Sequence, residues 1–133
     1  MLRFLLICLG GAIGTGARYL VATWVTQAFG ADFPRGTIVI NLTGSFLIAV
    51  VMELAATTGA VSQDLRLFLA TGIMGGYTTY SSFNYETLRL AGEGTWLLAG
   101  LNVAITVFGC LAAGWLGLVT ARALAALGAR LAG

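Results

Sequence analysis

Four groups of polar residues stand out in an otherwise apolar chain, and their types suit the binding of small ions. Thr37, Asn41 and Ser45 recur at every fourth position, so a helix stacks them on one face. Asn102, Thr106 and Cys110 repeat that spacing later in the chain. Between the two stripes, Gly75-Gly76-Tyr77-Thr78-Thr79-Tyr80-Ser81-Ser82-Phe83-Asn84 mixes glycines, hydroxyls and aromatics. The fourth group is one charge, Arg18, set among apolar neighbours. Amides and hydroxyls offer hydrogen-bond donors without a net charge. Each stripe can therefore line a narrow wet path, or simply join helices through bonds worth about 0.6 kcal/mol on average.

The elements that must carry these groups are membrane spans. A helix crossing the hydrocarbon core needs about 20 mostly apolar residues. Four segments of that length are expected, over approximately 3–29, 37–58, 65–90 and 95–127, forming one transmembrane domain across 1–133. The turn-forming stretch from Gly30 to Gly36, with the only proline, separates the first two; Gly92-Glu93-Gly94 precedes the fourth. The expected class is an all-α membrane protein whose third helix is broken near its middle. Broken backbone leaves carbonyls and amides unpaired, which a membrane tolerates where they are buried in protein, line water or hold an ion.

Composition agrees. Of 133 residues, 59% are hydrophobic and 9% charged, against about a quarter charged in soluble domains. The net charge is +2, with every basic residue an arginine and no basic stripe for nucleic acid. Cys8 and Cys110 lie in apolar runs, so free thiols and no metal-thiolate site are expected. Arg3 followed by apolar residues imitates a signal peptide, but the apolar run continues through Val25, giving a retained first helix.

An arginine near mid-membrane costs about 2.5 to 3.5 kcal/mol on insertion scales. Arg18 therefore reads either as a structural residue bonded to carbonyls at a helix break or as a gathering point for anions. Glu53 lies near the end of the second span, within reach of solvent, and Glu86 is within a turn of Arg89 and able to pair with it. Four such helices make a thin bundle, and its glycines permit close contact between copies, so an oligomer is expected. Arg3, Arg66, Arg122 and Arg130 on the side of the termini face Arg35 and Arg89 on the other, a slight bias that specifies orientation weakly.

The sequence resembles the Fluc (CrcB) family of fluoride channels over its whole length. Three stretches carry the resemblance: Gly10-Gly11-Ala12-Ile13-Gly14-Thr15-Gly16-Ala17-Arg18-Tyr19; Gly36-Thr37-Ile38-Val39-Ile40-Asn41-Leu42-Thr43-Gly44-Ser45-Phe46; and the segment from Thr71 through Thr87. It implies an antiparallel, dual-topology homodimer with two pores between subunits, passive and selective for fluoride, in a bacterial inner membrane. It also implies one structural sodium ion at the dimer centre. By the same resemblance Asn41 matches the pore asparagine, and Tyr80 and Phe83 match a pair of phenylalanines. Gly75 and Thr78 match positions whose carbonyls hold sodium, while Thr106 and Cys110 fall on a polar track. Thr37, Ser82 and Asn102 join the candidate pore set. Tyr80 stands where many members have phenylalanine, Cys110 where serine is frequent, and Asn102 where members vary.

Fluoride is small and tightly hydrated, so its path must replace water with close donors and avoid a positive charge that would trap it. Amide and hydroxyl hydrogens and the weakly positive edge of an aromatic ring meet that need. Two other functions compete. A small dual-topology proton-coupled multidrug exporter needs an embedded carboxylate, which the first helix lacks; a non-transporting assembly subunit leaves the third-helix break unexplained. An enzyme is not expected, because no nucleophile-base pair, metal cluster or phosphate loop with lysine is present.

Overall fold

The computed structural model describes residues 1–59 and 61–132; Ala60, in the expected connection from Thr57 to Asp64, and Gly133 lie outside the described residues. The described residues are all helix and turn. Helix α1 spans Leu2–Phe29 and α2 spans Arg35–Thr57. A composite run follows: α3 over Gln63–Arg66, a π-helical stretch over Leu67–Met74, α4 over Gly75–Tyr77 and α5 over Tyr80–Gly92. Helix α6 spans Trp96–Ala132. Three of these helices are long and apolar enough to cross a membrane: Leu2–Phe29, Arg35–Thr57 and Trp96–Leu131.

Local chemistry sets the boundaries. Helix α1 stops at Gly30, whose φ of 81° is left-handed and whose N–H donates to the Thr26 carbonyl. Pro34 caps α2, so the helix begins at Arg35 rather than at the expected Thr37; proline has no N–H to lose at a helix start. The Arg35 guanidinium donates to the Phe29 carbonyl at 2.9 Å and lies over the Phe33 ring, fastening the turn. At the other end Ser62 caps α3 by accepting from the Leu65 N–H. Helix α6 continues beyond the expected residue 127, because nothing in Gly128-Ala129-Arg130-Leu131 breaks it.

Contacts between named residues give the topology. Arg3 pairs with Asp64 at 2.9 Å, so the composite run starts beside the N-terminus. It ends beside the start of α2, where the Thr37 hydroxyl donates to Glu86. Helix α6 returns alongside α2 until Arg122 meets Glu53 at 2.7 Å. The result is four antiparallel passes in chain order. Glycines let the first and third come close: a Cβ on Gly10 would lie 2.6 Å from the Phe68 carbonyl oxygen, and one on Gly14 or Gly76 would collide with the facing backbone.

The interior is partly polar, with Asn41, Thr79, Asn102 and Thr106 buried beside Val25, Ile40 and Leu90, while Leu20, Phe108, Leu111 and Trp115 point outward. This distribution fits lipid as the outer solvent. Charge is segregated by end. Arg3, Arg66, Arg122 and Arg130 share the end of the termini with Glu53 and Asp64, whereas Arg35 and Arg89 share the other with Asp32, Glu86 and Glu93.

Candidate functional site

The composite run loses its helical path at Thr78 and Thr79. Both take extended conformations, with φ/ψ of −75°/158° and −152°/105°. The chain stays there because α2 supplies replacement partners. Asn41 Oδ1 accepts the Thr79 N–H at 2.8 Å, and Asn41 Nδ2 donates to the Thr79 carbonyl at 3.0 Å, so one amide clasps both polar groups of one residue. Thr79 in turn caps α5, its Oγ1 accepting the Ser82 N–H at 3.2 Å and donating to the Ser82 hydroxyl at 2.9 Å. On the preceding side, Thr43 gives its hydrogen to the carbonyls of its own helix, so the buried Tyr77 hydroxyl donates to Thr43 at 2.9 Å. Gly44 provides the notch that Tyr77 and Thr78 fill; a Cβ there would collide with the Thr78 methyl group.

Beside this break lies a cleft of about 310 Å³, lined among others by Asn41, Thr79, Tyr80, Phe83, Thr106 and Cys110. The Tyr80 and Phe83 rings are neighbours, with centroids 5.5 Å apart and planes tilted by 58°. Their environments differ: Phe83 is 6% exposed and Tyr80 is 78% exposed. The Thr106 hydroxyl is buried and has no hydrogen-bond partner among the described residues. Such an atom forfeits its hydration, which normally requires compensation. No charged side chain lines this cleft.

Other candidate residues lie elsewhere. Thr37 and Glu86 line a second cleft, of about 210 Å³, with Arg89 at the start of α2. Asn102 is fully buried and donates through Nδ2 to Thr87 Oγ1 at 2.8 Å. Thr87 spends its own hydrogen on the Phe83 carbonyl, which fixes the Asn102 amide and leaves Oδ1 without a partner among the described residues. Ser82 is engaged by Thr79. Arg18 is half-buried on α1, and Cys8 and Cys110 are both free.

One sequence expectation about acids needs correction. Arg89 pairs with Glu93 at 2.8 Å, one turn later, rather than with Glu86, which instead accepts from Thr37 and buries its second oxygen without a partner among the described residues. Glu53 stays within reach of solvent and pairs there with the exposed Arg122. Sequence reasoning also missed Thr79. Its signal was available, a threonine just before a helix with a serine three residues on, but the surrounding hydroxyls masked it.

Among the carbonyls freed at the break are those of Gly75 and Thr78. In an unbroken helix they would accept from the amides of Thr79 and Ser82. Those amides donate to Asn41 and to the Thr79 hydroxyl instead. Neutral carbonyls at a helix break are a donor set suited to a monovalent cation such as sodium.

Comparison with known proteins identifies the family. The family model described as CrcB-like protein, Camphor Resistance (CrcB), matches residues 5–118. The chain is 55% identical to the fluoride-specific ion channel FluC of Anaeromyxobacter dehalogenans, over 94% of this chain and 99% of that one. It is 55% identical to the protein of the same name from Sorangium cellulosum, over 95% and 99%, and 47% identical to that of Geobacter metallireducens, over 93% and 100%. A match that takes in the α1 glycines, the Asn41 clasp and the broken run together leaves one conclusion: the chain belongs to the CrcB family.

Proposed function

We propose that this chain is the subunit of a passive fluoride channel rather than an enzyme. The observation that carries the reading is the uncharged cleft at the break, where amide, hydroxyl and ring-edge donors converge, in a chain related to proteins named as fluoride-specific channels. Asn41 commits one amide hydrogen to Thr79 and retains a second for an anion. The Thr106 hydroxyl, with no partner among the described residues, would give its hydrogen to the ion, and Phe83 its ring edge. The absence of a cation in this cleft suits transit, because a fixed positive charge would hold fluoride too tightly to release it.

The composite run serves as the third of four spans, crossing a bacterial inner membrane with its break inside. The active unit is an antiparallel homodimer. Tyr80 stands largely uncovered at the cleft, and Gly11 and Gly16 of α1 have open space where a side chain would be, so a second copy can close both. The carbonyls of Gly75 and Thr78 would hold one structural sodium ion at the dimer centre, where the ion supplies positive charge that binds broken backbone together.

Purified protein in liposomes should release fluoride and retain chloride under a potassium-diffusion potential. Equal release of both ions would refute the channel assignment. Release that requires a proton gradient would point instead to an exporter using Glu86.

A further inference from the structure

We infer that Asn41 and Thr79 are positioning residues for the cation site, because their side chains divert the two amides that would otherwise occupy the carbonyls of Gly75 and Thr78. The inference rests on the sodium reading given above and adds the device that creates its ligands.

The geometry assigns one diversion to each residue. In a continuous helix the Thr79 N–H bonds to the Gly75 carbonyl; here it goes to Asn41 Oδ1 at 2.8 Å. In the same continuous helix the Ser82 N–H bonds to the Thr78 carbonyl; here it goes to Thr79 Oγ1 at 3.2 Å. The preceding amide keeps its ordinary partner, Thr78 N–H donating to the Met74 carbonyl at 3.0 Å, so the diversion begins at Thr79. Among the carbonyls released at the break are those of Gly75 and Thr78, the pair that the sodium reading assigns to the ion. Both diverting groups are buried, Asn41 at 8% and Thr79 at 7% exposure, where water cannot readily substitute for them.

Asn41 therefore has two functions. Its Oδ1 holds the diverted Thr79 amide, and its Nδ2 has a second hydrogen beyond the one given to the Thr79 carbonyl. A leucine loses both; an aspartate keeps the acceptor but sets its other oxygen against the Thr79 carbonyl.

The test is a sodium titration of the thermal unfolding midpoint of the purified full-length dimer, with N-methylglucamine keeping ionic strength constant. The wild type should gain stability with sodium. Thr79→Val, which removes only the diverting oxygen, should raise the half-saturating sodium concentration by about tenfold, the scale of one lost hydrogen bond. Thr79→Ser should restore it. Asn41→Leu should weaken sodium binding similarly. A Thr79→Val dimer whose midpoint falls equally with and without sodium, at unchanged half-saturation, would overturn the inference. Should that variant yield no dimer, Asn41→Leu decides by the same titration: equal sodium affinity in Asn41→Leu and wild type also overturns it. No sodium response in the wild type would sink the sodium reading itself.

Discussion

Phe83 and Thr106 approach the same cleft with different chemistry, and substitution separates their contributions from packing. Phe83 is nearly buried, so Phe83→Ile preserves much of its apolar bulk while removing the ring edge. Fluoride efflux should fall at least about tenfold in intact dimers, whereas Tyr80→Phe, at an exposed ring, should leave it nearly unchanged. Thr106→Val gives a sharper contrast. The hydroxyl has no partner among the described residues, so its removal should leave thermal stability equal to wild type or raised by up to about 1 kcal/mol. If that hydroxyl serves fluoride, efflux should nevertheless drop in the more stable protein, as a fluoride electrode can record. Loss of stability with retained efflux would make Thr106 a packing residue.

The elements show where reading residues in order succeeds and where it stops. Long apolar stretches specified α1, α2 and α6, because crossing a membrane is chiefly a matter of length and hydropathy. The composite run carries Thr78, Thr79, Ser81, Ser82, Asn84 and Glu86, which lower its hydropathy and make it legible as an irregular segment but not as a path. Its π winding over Leu67–Met74 had no local signal, since Leu, Phe and Ile favour an ordinary helix equally well. The Asn41 clasp was hidden for another reason: it joins positions 38 residues apart and depends on packing. That packing rests on α1. Gly14→Ala would drive a methyl group into the Ile73 carbonyl and should destabilise the fold by about 1 to 3 kcal/mol. Gly128→Ala, in open space on α6, should instead stabilise it by up to about 1 kcal/mol through helix propensity. Thermal unfolding of the two variants, read by size-exclusion chromatography, compares them directly.

At the scale of the molecule, the proposed opposed dimer predicts that a cysteine placed at Leu131, in a Cys8→Ala, Cys110→Ser background, reacts with an impermeant maleimide from both sides of a sealed vesicle. Labelling from one side alone would exclude opposed subunits. The segregation of charge has an electrical counterpart. One end of each subunit carries four arginines and two acids, the other two arginines and three acids. Subunits inserted in a single direction would place unlike surface potentials at the two mouths, concentrating fluoride at one and depleting it at the other. Current would then rectify. Opposed subunits give each membrane face one end of each kind, so the asymmetry cancels and the current–voltage curve must pass through the origin with equal slope on both sides in symmetric fluoride. Such a conductor would carry no direction of its own; the voltage and concentrations that the cell maintains would decide whether fluoride leaves or enters.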